Sequence, residues 1–399
     1  MTTERSQRTL WALMAVLAIG LAAATLYLYG KSRSVSPAAQ LPAYRIAYMA
    51  LSAPTYIPQL YTCDLQGGDV RPLVESRFGD TIPVCEPLPA SPGRAPRIAF
   101  VRFRSDPGSD TGTQLGAPGG VYVVSIDGGE ERSASQTVER PLPVRPAWSP
   151  DGRQLVFAGV DDLNGDGAYV SGEAGIYVAD MDTAQVRRVA TVHATGTSLR
   201  WSPTSARVIL QVHKRDVPLP VASLLDLRTG ELSSRDDATT LGCWSPDGQY
   251  IAAYSMVERE IHVLSSAGDE LWTAETPPGY VVDMHWLPAA TADAEDGGRF
   301  LVLCTPEPNA GAGQVFLSSA LIARGAPATW RQLTAADANV VDATPSPDGR
   351  WAVLTLMQGL GTGTEADVYL LSLAQGQLQP VTQDAGYEGM ATWVPARAR

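Results

Sequence analysis

Trp148-Ser149-Pro150-Asp151-Gly152 is the stretch that decides the fold, because variants of it recur down the chain. It returns as Trp201-Ser202-Pro203, Trp244-Ser245-Pro246-Asp247-Gly248, Trp286-Leu287-Pro288, Pro345-Ser346-Pro347-Asp348-Gly349 and Trp393-Val394-Pro395. Ser-Pro-Asp-Gly fits a type I turn: Ser opens it, Pro presets φ at the second position and Gly closes it. Such a turn joins two strands. Aligned on the proline, with Pro89 included, successive repeats are 42 to 61 residues apart, a spacing that marks a ring or array of similar units.

Working outward from the third repeat, strand-like segments run over Val144 to Trp148, Gln154 to Gly159, Gly175 to Asp180 and Gln185 to Ala190, separated by turn residues. Four antiparallel strands make one blade of a propeller. The first unit, from Tyr44, has RIAYMA, QLYTCDL and VRPLV but no strand ahead of them, whereas Met390 to Val394 is an inner strand with nothing after it. The C-terminal strand is therefore expected to complete the first blade, giving an all-β, seven-bladed β-propeller without open edges.

Composition agrees. Gly 37 and Pro 30 with a charged fraction of 18% favour many short strands and tight turns over long surface helices. A net charge of -12 excludes a nucleic-acid partner, which needs a clustered basic face. Four cysteines, Cys63, Cys85, Cys243 and Cys304, are too few for a disulfide scaffold and lack zinc-site spacing. They read as small buried hydrophobes, with a Cys63–Cys85 bridge open in an oxidising compartment.

With these motifs in place, the chain resembles the TolB-like propellers, a family of WD40-like (PD40) repeats with a Trp-Ser-Pro-Asp-Gly turn. Trp148 to Gly152 and Trp244 to Gly248 carry the whole motif, Pro345 to Gly349 lacks the tryptophan and Trp201 to Pro203 lacks the Asp-Gly. The resemblance implies an extracytoplasmic propeller that binds proteins or other ligands at a face of the ring. Similar propellers sit beside a peptidase domain in prolyl oligopeptidase relatives. Here a G-x-S-x-G elbow is absent, and the blades leave no length for an α/β-hydrolase domain.

Ahead of the repeats, residues 1–9 are a polar tail, 10–29 run without a charge for about the length a helix needs to cross a bilayer, 30–42 are a Ser/Pro/Ala linker, and 43–399 hold the propeller. A cleaved signal peptide is the competing reading, since Ala22-Ala23-Ala24 offers a small-residue site. Leu26 to Tyr29 carry the apolar run onward, which favours an uncleaved transmembrane signal-anchor with the propeller outside the cytoplasm.

The loops between second and third strands share one face of the ring and carry the excess length: Ser105 to Gly119, Asp161 to Glu173, Lys214 to Pro220, Pro306 to Gly313 and Gln358 to Glu365. Long loops on a rigid scaffold make a binding surface for a protein or cell-envelope ligand. One of them matches the calcium-loop pattern D-x-[DN]-x-[DN]-G-x5-E: Asp162, Asn164 and Asp166 alternate, Gly167 allows the turn and Glu173 closes the set. Tyr169 adds its carbonyl, and Asp161 is an extra acid nearby. A structural Ca2+ is expected there; a solvated acidic loop is the alternative, since the stretch lies between two strands and Asp, Asn and Gly are ordinary turn formers. The four histidines, His193, His213, His262 and His285, lack metal-site spacing and read as surface or strand-end residues, and His213 to Asp216 as a solvated loop. The tryptophans before each turn read as packing between blades rather than as a sugar-binding set. No catalytic constellation is recognisable, so the expectation is a non-catalytic, membrane-anchored binding scaffold. A propeller lyase or hydrolase acting on cell-surface polysaccharide or peptide is the rival.

Overall fold

The chain divides into Met1–Ala43 and Tyr44–Arg399. The computed structural model describes residues 44–51, 57–76, 78–87, 94–105, 115–136, 138, 140–142, 144–160, 174–193, 199–213, 219–234, 239–288, 298–308, 310–319, 329–358, 365–384 and 386–395. The tail, anchor and linker expected over 1–42 lie outside them. Among the described residues no helix is long and apolar enough to cross a membrane.

The described residues form an all-β propeller in which consecutive strands pair antiparallel. Separate sheets span 79–133, 140–192, 200–234, 239–275 and 280–332. The expectation of seven separate blades is corrected here. Five sheets stand apart, and the first and last repeats merge into one sheet of eight strands. They join through the parallel pair Ala366↔Tyr387, where the Ala366 N–H donates to the Gly386 carbonyl at 3.1 Å.

Closure itself follows the sequence reading. The strand Tyr387–Pro395 runs antiparallel to Tyr44–Leu51, from Tyr44↔Pro395 to Leu51↔Tyr387, with a register shift between Ala47 and Met49. Chain end and chain start thus occupy each other's exposed edges.

The repeated turn has the chemistry that its sequence demands. The Gly152 N–H donates to the Ser149 carbonyl at 2.9 Å, Ser149 Oγ donates to Asp151 Oδ1 at 2.6 Å, and the Gln154 N–H donates back to Ser149 Oγ at 2.8 Å. The turns at Ser245 and Ser346 repeat this pattern. Gly152 lies at φ 66°, in the left-handed region, and a Cβ there would stand 2.1 Å from Glu86 Oε1 of the preceding sheet. Glycine is thus required twice, by the turn and by the close approach.

The tryptophans bind the sheets together as expected. The indole N–H groups of Trp148, Trp244 and Trp393 donate to the carbonyls of Val84, Arg200 and Thr344 at 3.0, 3.0 and 2.9 Å. Each acceptor lies on a strand of a different sheet or repeat. Trp201, whose turn lacks Asp-Gly, instead bonds within its own repeat, to Ser205. Charges reinforce one joint: buried Glu86 accepts from Arg94 and Arg97, and Arg97 stacks 4.9 Å above the Trp148 ring.

The apolar core lies between consecutive sheets. Val156, Ile176 and Val178 of one sheet cluster with Val208, Leu210 and Leu225 of the next, and Ala47, Leu60 and Val394 cluster with Ile98 and Phe100. Each fully buried Val, Leu, Ile or Phe among these stabilises the fold by about 1.5–3 kcal/mol. All four cysteines are free. Cys63 and Cys85 end strands of different sheets, so the bridge left open by the sequence is not made. Burial pushes every one of these thiols up to about 12, which keeps them protonated and unreactive.

Candidate functional site

The strand that opens each repeat is the innermost of its sheet, so polar residues on these strands meet around the ring axis. Arg200 belongs to the sheet 200–234, Asp283 and His285 to the sheet 280–332, and the sheet 239–275 lies between these two in chain order. Even so, Arg200 Nη2 reaches Asp283 Oδ1 at 2.6 Å and Nη1 donates to the Met284 carbonyl at 2.9 Å. Arg145, beside the strand Ala147–Trp148, stands 3.5 Å from Asp342 on the strand Val340–Pro345. Residues from non-neighbouring repeats can touch in this way only across the centre of a closed ring.

His285 completes the cluster, with Nε2 at 3.0 Å from Asp283 Oδ2. The other Asp283 oxygen also accepts the Met284 N–H at 2.8 Å. These side chains remain 18% to 30% exposed, so the cross-ring cluster, called the channel below, is partly open to water.

The electrostatics divide the two acids. Burial alone would raise the Asp283 pKa, but His285, Arg200 and Arg145 outweigh it and hold the carboxyl far below the usual range. Asp342 goes the other way. Burial pushes its carboxyl up, Arg145 offsets this in part, and the negative charge of Asp283 adds to the rise. Tyr387, which pairs with Leu51 and Ala366, is raised by burial and by the charge of Asp342. Two neighbouring acids driven apart in pKa, beside a histidine and two guanidiniums, form an arrangement able to hold a charged ligand or move a proton.

Asp162, Asn164, Asp166, Tyr169 and Glu173, the residues expected to hold calcium, lie outside the described residues, as does most of the long loops over 105–119, 214–220 and 358–365, whereas the loop over 306–313 is described except at residue 309. Among the described residues no three His, Cys, Asp or Glu side chains converge as a metal site. The surface or strand-end role expected for the histidines needs correcting at two positions. His285 is drawn into the channel by Asp283, and His262 is buried between Glu258 and Glu270, at 2.8 and 3.2 Å. A groove lined by Arg94, Arg97, Arg132, Glu130 and Asp180 lies elsewhere, and two of its arginines are already committed to Glu86.

The channel set was missed in the sequence, yet it leaves a signal there. Arg145, Asp283 and Asp342 each stand five residues before a turn proline, and Arg200 and His285 each stand three before one. Titratable side chains recurring at the same two inner-strand positions of different repeats are the mark of groups directed to a common axis.

Comparison with known proteins fits the propeller. TolB from Acinetobacter baumannii superimposes with a TM-score of 0.52 at 17% identity, over 88% of this chain and 67% of that one. Puromycin hydrolase superimposes with a TM-score of 0.59 at 12% identity, over 87% of this chain, which spans about half (53%) of the hydrolase. No family model matches the sequence. No curated protein matches it either. The fold is that of a TolB-like β-propeller. The expectation that the chain is not an enzyme is corrected by the second likeness, since the same propeller fold occurs in a hydrolase and gives no ground for excluding catalysis.

Proposed function

We propose that the chain is a membrane-anchored, extracytoplasmic propeller of seven blades that binds a protein or cell-envelope ligand. The eight-stranded sheet counts as two blades, because its halves are separate four-stranded antiparallel groups joined by one parallel pair. The anchor is the apolar segment 10–29. The observation that carries the binding reading is the cross-ring cluster of Arg145, Arg200, Asp283, His285 and Asp342. Ion pairs facing water are poor stabilisers, so a polar cluster assembled from four repeats serves recognition better than folding.

Within the cluster Arg145 is the group freest to engage a ligand, since its contact with Asp342 is long at 3.5 Å while Arg200 is locked by two bonds. Proximity labelling with the full-length chain in its native membrane identifies the neighbour, and titration of that neighbour compares wild type with R145A. The expected result is binding weakened about tenfold, roughly 1.4 kcal/mol, without a change in melting temperature. Equal affinity of the two proteins removes the channel from the binding reading.

A second reading, hydrolysis, is favoured by the Asp283–His285 pair beside an acid of raised pKa, together with the likeness to puromycin hydrolase. Incubation with puromycin, followed by chromatography, separates the two. Turnover that disappears in H285A supports the enzyme; its absence in wild type leaves binding.

The loop-rich face carries the second part of the proposal, a structural Ca2+ held by Asp162, Asn164, Asp166, the Tyr169 carbonyl and Glu173. At a calcium concentration about 100 times the dissociation constant the bound state gains about 2.7 kcal/mol. Melting temperature is accordingly expected to rise with millimolar calcium in wild type and to stay flat in D162A/D166A. A flat wild-type curve sinks the site.

A further inference from the structure

The two ends of the ring meet where the strand Ala366–Ser372 lies beside Tyr387–Pro395. Ala366 and Tyr387 pair in parallel register, so one step along both strands sets Asp367 beside Glu388 on the same face. Both are buried, at 2% and 6% exposure. One Asp367 oxygen accepts from the Gln358 side-chain amide. Asp367 Oδ1 and Glu388 Oε2, however, are buried without any hydrogen-bond partner.

Among the described residues, the groups acting on this pair include no countercharge. After burial, the groups acting on Asp367 are the Gln358 amide and the acids Asp384 and Glu365. Those acting on Glu388 after burial are the Thr382 hydroxyl, Asp384 through its charge and its backbone N–H, and Asp367. Tyr48, from the strand Tyr44–Leu51, adds a buried phenol that is itself raised by burial and by Cys63, Glu388 and Asp384. Tyr369, on the Asp367 strand, is a second phenol in range. No lysine, arginine or histidine is among these groups.

Two ionised carboxylates in such a place repel one another and lack solvation, a strongly disfavoured state. A single proton changes the balance. A protonated carboxyl gains an O–H donor, and the neighbouring carboxylate offers an acceptor that is otherwise unpartnered. We propose that Asp367 and Glu388 form a proton-holding latch on the seam that closes the ring: the shared proton holds the two strands together, and its loss as pH rises loosens them.

The direction of the pH dependence follows from linkage. Burial raises both carboxyls in the folded chain, so the fold binds a proton that the unfolded chain releases. Stability is then highest in acid and falls as pH climbs from the ordinary carboxylate range, near 4, through the raised folded value. This is opposite to the channel carboxyl Asp283, whose depressed pKa contributes stability above the ordinary carboxylate value and loses it in acid.

The test uses the full chain, with melting temperatures of wild type, D367N and E388Q from about pH 5 to about pH 8, and hydrogen exchange across 366–395. Both amide variants keep the shape and remove the titration. Wild type is expected to lose about 4 °C or more than E388Q does between the two pH values. Exchange over 366–395 should rise more steeply with pH in wild type than in E388Q. Parallel melting and exchange curves in wild type and both variants overturn the latch. So does a result in which millimolar calcium at about pH 8 restores the wild-type melting temperature but not that of E388Q, because the occupant is then a metal cation and not a proton. Should D367N fail to fold, the comparison with E388Q still decides.

Discussion

A chain ending before Tyr387 is expected to lose cooperative folding altogether. The strand Tyr387–Pro395 supplies the inner strand of the first repeat and pairs with Tyr44–Leu51 along its length. Its Ala391, Trp393 and Val394 are buried, and Trp393 donates to Thr344 of the last repeat at 2.9 Å. Burial of three such side chains at about 1–3 kcal/mol each, with about 1 kcal/mol for each of several hydrogen bonds, comes to roughly the whole 5–15 kcal/mol by which domains are stable. Two strand edges would also be left open to intermolecular pairing. Calorimetry and size-exclusion chromatography of the truncated chain should show no sharp transition and a shift to aggregates. A wild-type transition in that variant shows that closure is dispensable.

R102A is expected to produce the next largest loss. Arg102 is buried, with Nε at 2.6 Å from Asp80 Oδ1, Nη2 at 3.0 Å from Asp80 Oδ2 and Nη2 at 2.6 Å from Glu131 Oε2. Its guanidinium also stands 4.5 Å from the Tyr122 ring centre and 5.4 Å from that of Phe100. Burial would favour losing the proton, yet Glu131 and Asp80 together push the Arg102 pKa up, so the side chain stays charged. Removing it takes from Asp80, which is 0% exposed, the cation that holds both of its oxygens. Breaking a buried pair in this way costs about 3–5 kcal/mol. Urea unfolding measures it. R102A/D80A should recover part of the loss, because the double variant removes the stranded charge along with its partner. A double variant as unstable as the sum of the two singles shows instead that the packing of the guanidinium on the rings carried the energy.

The remaining contrast lies between what is local in the chain and what is not. Strand spans, turn type and the glycine at φ 66° follow from residues within a few positions of each other, and the sequence displays them directly at Trp148 to Gly152. The completion of the first repeat by Met390 to Val394 was legible as well, since a missing strand at one end and a spare strand at the other imply each other. The merging of first and last repeats into one sheet was not, because it depends on how far the ring rotates before it closes.

The channel shows the same limit. Asp283 and His285 are two residues apart and invite pairing, but nothing local tells that Arg200 lies within 2.6 Å or that Arg145 faces Asp342. Sequence alone therefore determined that this protein is a ring of repeated four-stranded units, since hydrogen-bonded turns and alternating apolar strands are short-range and repeat identically. Only the tertiary structure decided which charges meet. Contacts across a closed ring are set by the summed twist and packing of all its sheets, and burial at the Asp367–Glu388 seam exists only once that ring has closed.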